Sequence, residues 1–197
     1  MASISLNFQS LEELVSNLKD LDNSTINYLA ALLKKLQKER GILENGLQLD
    51  EASFWKFISL IDDSRTEENK AISPLVAALA NSPQAIIFQF AESLAFHLHQ
   101  LDGPTFFDAM GQNNKLGASA DTFLYARCSV VAKGEIFYKK VLEQPKYMPA
   151  AGGMESLLYV AEEAFELKMS KPYEYIPTIN FESFFNRALW GSQAITL

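Results

Sequence analysis

Apolar residues recur along this chain every three or four positions, the spacing that lines one face of an α-helix. Behind Ser10-Leu11-Glu12-Glu13 they run Leu11, Leu14, Val15, Leu18 and Leu21. Ser10 at the cap and Glu13 three residues later make a capping box, each side chain satisfying a backbone N–H of the first turn. Asn23-Ser24 opens a second helix with Ile26, Leu29, Leu33 and Leu36 on one stripe. Lys34, Lys35, Lys38 and Arg40 gather at its end before Gly41, where cations complement the helix dipole. These two helices are expected to form a hairpin. Residues 41–50, with Asn45-Gly46, read as a linker.

Asp50 is the expected cap of a third helix, Glu51 to Ile61, rich in aromatic residues (Phe54, Trp55, Phe57). After a charged loop over 62–70, Ser73-Pro74 suits a helix start with Pro in the first position. A start near Thr66, with Pro74 as a kink, is the alternative. Ser82-Pro83 opens a long helix to Leu101, and Thr105 to Met110 is a short one before a polar loop over 111–118. Ser119 or Asp121 caps Asp121 to Lys133. Gly134 interrupts, and Glu135 to Leu142 follows. Pro145, Pro149 and Gly152-Gly153 mark a loop, and Met154 to Met169 is the last strong helix. The tail from Lys171 combines Pro172 and Pro177 with six aromatic residues, and is expected to pack over the core. No stretch alternates long enough for a strand, and no internal repeat is present. The fold expected is all-α, an irregular multi-helix bundle with an N-terminal helical hairpin. Its parts are the hairpin (1–49), a helical core domain including the aromatic segment (50–191) and a short tail (192–197).

Polar residues on apolar faces are the candidates for chemistry. Successive helical residues turn by about 100°. In the helix over 82–101, His97 shares the arc of Ile86, Ile87, Phe90, Leu94, Leu98 and Leu101, while Glu92 and His99 fall on the far side. His97 and His99, two apart, cannot share a metal on this helix, whereas His99 and Asp102, three apart, can meet. His97 reads as a core histidine bonded to a carbonyl; general-base duty is the competing reading. Arg127 projects from the middle of the face made by Phe123, Leu124, Val130 and Val131. A buried guanidinium calls for a carboxylate, and Glu162, or failing that Glu163, is its expected partner. An anion held by Arg127 in a cleft is the other reading. Glu155, Glu162, Glu163 and Glu166 form an acidic helix face, solvated by default but able to meet a cation or a basic partner. Cys128 lacks a nucleophile's signature and reads as a small buried residue.

Composition narrows the function classes. There are 17 Lys plus Arg against 24 Asp plus Glu, a net charge of −7, which argues against a general nucleic-acid binder. With 48% hydrophobic and 21% charged residues, the chain can build a core without staples. One Cys and two His exclude an internal disulfide and a multi-cysteine zinc site; no metal and no cofactor is expected. Met1 to Val15 has no Lys or Arg and carries Glu12 and Glu13, unlike a secretory signal. The longest uncharged run, between Lys70 and Glu92, contains Pro74, Asn81, Pro83, Gln84 and Gln89, so no membrane span is expected. The expected location is the cytoplasm. No Gly-rich phosphate loop or serine nucleophile elbow is present.

Three stretches are distinctive together: Phe54-Trp55-Lys56-Phe57-Ile58, Asp121-Thr122-Phe123-Leu124-Tyr125-Ala126-Arg127 and Glu155-Ser156-Leu157-Leu158-Tyr159-Val160-Ala161-Glu162. With them the chain resembles the bacterial domain-of-unknown-function 4240 family, from about Ala52 to about Trp190. Tyr173, Tyr175, Phe181-Glu182-Ser183 and Asn186 fit the family's closing segment; Phe184-Phe185 and Arg187-Ala188-Leu189 depart from it. The resemblance implies a compact helical domain and brings no reaction. It singles out Trp55, Asp121, Tyr125, Arg127, Glu162 and Asn186 as candidate ligand-binding residues, and no residue is assigned a catalytic role.

Two functions are in play. The favoured one is a non-enzymatic protein-interaction module, regulatory or inhibitor-like, meeting a basic protein partner through charge complementarity. The alternative is a small enzyme or anionic-ligand-binding protein with a cleft around Arg127, Tyr125, Asp121 and Glu162. Residues 10–40 offer a homodimer interface or an amphipathic face for a membrane surface; packing on the domain or on a second copy is favoured.

Overall fold

The computed structural model describes residues 25, 47–113, 119–150 and 153–191. The chain divides into two compact units, 1–44 and 45–197. The expected hairpin and the short tail over 192–197 lie outside the described residues, apart from Thr25, which is helical. In the second unit, all regular structure among the described residues is helical. No helix there is long and apolar enough to cross a membrane.

Local signals set most of the boundaries. Helix α1 (Glu51–Ile58) begins at Asp50, whose carboxylate accepts the Ser53 N–H at 2.9 Å. Helix α2 (Glu68–Ala80) contains Pro74 on its exposed side, so the earlier of the two starts is the one adopted. There Pro74 takes the helical donor from the carbonyl of Lys70, itself an exposed residue. Helix α3 (Gln84–Gln100) follows Pro83, and α4 (Pro104–Asn113) runs three residues into the expected polar loop. Helix α5 (Ala120–Ala132) carries a capping box: the Thr122 N–H donates to the Ser119 hydroxyl at 3.1 Å and the Ser119 N–H to the Thr122 hydroxyl at 3.3 Å. Gly134, with φ of 86°, turns the chain into α6 (Glu135–Glu143) in a conformation that glycine adopts at little cost.

The helix expected over 154–169 is divided. A 3-10 turn spans Glu155–Tyr159 and α7 occupies Val160–Met169. Both ends of the segment are held by residues far away in sequence. The Glu68 carboxylate accepts the Ser156 N–H at 3.1 Å and so occupies the N-terminal end of this segment. At the other end, the Lys168 ammonium donates to the Ala80 carbonyl at 3.2 Å, the last of α2. The two segments therefore run parallel, start beside start and end beside end. Parallel helix dipoles repel, and the acid at one end and the base at the other offset that repulsion.

Helix α3 is the centre of the unit. Residues 87–95 are buried without a break, as in a helix covered on every side. One side faces α1 and α7; the other is closed by an extended strap, residues 171–186, that ends in α8 (Arg187–Trp190). The aromatic tail thus packs on the core as expected: Tyr175 stacks on Phe88 at 4.5 Å, and Trp190 meets Phe184 edge-on at 5.0 Å.

Candidate functional site

Among the described residues, three acidic or basic side chains are fully buried, Glu92, Asp102 and Arg127, each 0% exposed. The strap meets all three. Glu92 accepts the Thr178 N–H at 2.9 Å, the Thr178 hydroxyl at 2.7 Å and the Tyr175 hydroxyl at 2.5 Å. Burial, and then the bond to Glu92, push the Tyr175 phenol well above its ordinary value. Asp102 accepts three successive backbone N–H groups, of Phe184, Phe185 and Asn186, each at 2.8 Å, and the Trp190 indole N–H at 3.0 Å. Such a run of N–H groups forms a concave nest for an anion.

Arg127 donates to the Leu98 carbonyl at 3.0 Å, the Phe181 carbonyl at 2.9 Å and the Ser183 hydroxyl at 2.8 Å. It is inward, as the helical pattern requires, but its expected carboxylate partner is replaced. Glu162 is exposed and makes no bond to it. The physical reason is the end of α3, whose last carbonyls carry the negative end of the dipole and keep a lone pair free beyond the tightened last-turn bonds, Leu101 N–H to Leu98 and Asp102 N–H to His99. The carbonyls of His97, Leu98 and His99 accept from Tyr138, Arg127 and Asn186 respectively. Burial pulls the Arg127 pKa below its ordinary value, and the nearby Asp102 charge opposes that shift. The Arg127 Nε alone finds no partner; the Phe123 ring lies 4.8 Å from the guanidinium carbon.

His97 is a core histidine bonded to a carbonyl, that of Ser93, at 2.7 Å from Nδ1. Its Nε2 lies 3.3 Å from Glu51 Oε2, which also accepts the Trp55 indole N–H at 2.7 Å. Phe54 stacks on the imidazole at 4.4 Å, and Trp55 and Tyr138 present edges at 4.8 and 5.0 Å. His99 does not meet Asp102; its Nδ1 lies 2.7 Å from the Asn180 carbonyl of the strap. Cys128 is buried, and burial pushes its thiol up to about 12, away from nucleophilic use.

Between α3, the 155–169 segment and the strap lies a cavity of about 450 Å³. Its walls include Ala91, Leu94 and Ala95 from α3, Leu158 and Ala161 opposite, and Ile179 from the strap. Glu162 and Glu182 also line it, both exposed and with carboxylates that no described residue bonds or pairs. Tyr173 belongs to the same wall, and its hydroxyl is buried without a hydrogen-bond partner. Beside Glu162, the Glu163 carboxyl is pushed up by burial and then by the Glu162 charge.

Of the six residues singled out from sequence, Glu162 alone lines this cavity. Trp55 belongs to the His97 cluster, and Arg127 and Asn186 to the closing of α3. Asp121 is exposed in the first turn of α5; Tyr125 is one turn on, its phenol pushed up to about 12 chiefly by a hydrogen bond to Glu155. The structure does not gather them in one cleft. The sequence pattern marks Glu92, Asp102, Tyr173 and Glu182 without giving them a site role; the signal for the first two is an acid on or just after a long apolar helix in a chain with an aromatic tail. Among the described residues no three His, Cys, Asp or Glu side chains converge as metal ligands would.

The family model described as "Protein of unknown function (DUF4240)" matches residues 49–167, more than half of the chain. That match spans α1 to most of α7 and stops before the strap. No curated protein and no solved structure matches the chain.

Proposed function

We propose, from the premise that the chain belongs to the DUF4240 family and that the family's description names no reaction, that this protein works by binding, presenting the acidic mouth of its cavity to a basic protein partner. The observation that carries the reading is a contrast in how charges are used. Glu92, Asp102 and Arg127 are bonded by the strap, whereas Glu162 and Glu182 stand at a cavity with no described residue paired to them. Glu163 and Glu166 extend the same exposed acidic face along α7. An array of one sign attracts a partner of the other, and the attraction weakens as salt screens it. A cleft built to hold an anion on Arg127 gains no support, since both of its Nη nitrogens are engaged within the core.

The test is capture from a lysate of the source cells by the full chain and by its Glu162→Lys/Glu182→Lys variant. A stoichiometric partner held by the parent, released as salt rises and lost from the variant is the expected result. Capture of the same proteins by both would overturn the reading.

A further inference from the structure

We infer that the cavity takes an aliphatic chain ending in a cation, an alkylammonium or alkylguanidinium, supplied on the binding reading above, on which this inference rests, by a lysine or arginine side chain of the partner.

Three features of the cavity point the same way. Its volume of about 450 Å³ is enough for an extended side chain together with the backbone that carries it. The walls are the methyl and methylene surfaces of Ala91, Leu94, Ala95, Leu158, Ala161 and Ile179, which favour an apolar stem over a polar one. Lysine and arginine combine such a stem with a charged head that stays at the wet end.

The head is specified by charge. Glu162 comes from α7 and Glu182 from the strap, so two separate elements bring carboxylates to one mouth. The Arg127 guanidinium feels the Glu182 charge but is buried, does not line the cavity and is held by its three bonds. A carboxylate ligand would meet like charge, and a plain hydrocarbon would cover the two acids without neutralising them. A cation offsets one of the two negative charges and is attracted by both.

The experiment is methyl-resolved NMR of the full chain titrated at neutral pH with n-hexylamine, N-acetyl-lysine methylamide, hexan-1-ol and hexanoate. Saturable shifts of the Leu94, Leu158 and Ile179 methyls are expected with both cations, at least tenfold weaker with the alcohol and absent with hexanoate. Glu162→Gln/Glu182→Gln, at two exposed positions, should weaken hexylammonium at least tenfold. The comparison of four ligands on the parent stands even if that variant folds poorly. Silent methyls, or equal shifts with alcohol and amine, would overturn the inference, and shifts with hexylamine but not the lysine derivative would overturn its assignment to a side chain. Silence here alongside charge-dependent capture would remove this inference and leave the binding reading in place.

Discussion

Arg127 donates to the carbonyl of Leu98 at 3.0 Å, in the last turn of the central helix. A cation buried at the negative end of a helix has a structural reason to be there. The same guanidinium also holds the strap through Phe181 and Ser183, so one side chain ties the end of α3 to the segment that covers it.

Replacing that side chain should therefore cost stability rather than recognition. Arg127→Met is expected to lose about 3–5 kcal/mol in urea denaturation, the range for removing one member of a buried charged network. Arg127→Lys, a point charge without the fork, should recover only part of it. The folded fraction of either variant should still capture the partner. Loss of capture by a folded variant would count against a structural role.

Asp102 is the strap's densest anchor. Asp102→Asn keeps the size but places an NH₂ against N–H donors, leaving some without an acceptor. A loss of about 2–4 kcal/mol is expected from the cost of weakening charge-assisted bonds and stranding donors. Trp190 fluorescence should shift to the red as its indole loses its buried acceptor. An unchanged spectrum and midpoint would contradict the geometry.

Glu68 supplies a dependence on pH. Burial raises its carboxyl, but the N–H groups of residues 154–156 outweigh burial and leave it below the ordinary 4.5. A carboxyl lowered in the folded state adds stability above its unfolded value and loses it as the pH falls through the folded one. Glu68→Gln should be less stable than the parent above pH 4.5, with the gap closing as the pH falls below 4.5. A gap that widens in acid would reverse the sign of the argument.

Tyr173→Phe removes a hydroxyl that has no partner. The expected change in unfolding free energy is between zero and a gain of about 1 kcal/mol, because an unsatisfied buried group is a cost. A clear loss in calorimetry would mean that the hydroxyl is bonded in solution.

Cys128, buried with its thiol pushed up to about 12, should resist a thiol reagent in the folded chain at pH 8 and react at once in urea. Rapid labelling of the folded chain would contradict its burial.

Much of the fold was legible because its signals are local. Asp50, Ser119, Gly134 and the apolar spacing each act within a few residues, and the helices start near where they predict. The tie between the start of the 155–169 segment and α2 was not, because it is made by a carboxylate 88 residues away, on Glu68. The far side of α3 misled for a related reason. A helical arc sorts Glu92 and His99 away from the apolar face, and that sorting is correct, but the strap makes the second face an interior as well. Arg127 was read as inward from its apolar neighbours; its partners are mainly backbone carbonyls, which every residue carries and no sequence pattern marks. The cavity depends on how the strap crosses α3, so Glu182 and Tyr173 could not be distinguished beforehand from other tail residues.

The central claim is that the buried charges belong to the scaffold, holding the strap shut over α3. Native-state hydrogen exchange of the Thr178, Phe184, Phe185 and Asn186 amides tests it most directly, since these four N–H groups point at Glu92 and Asp102. Protection comparable to that of the α3 core amides is the predicted result. Exchange at the rate of an unstructured peptide would contradict it and return Glu92, Asp102 and Arg127 to the list of groups free to act on a ligand.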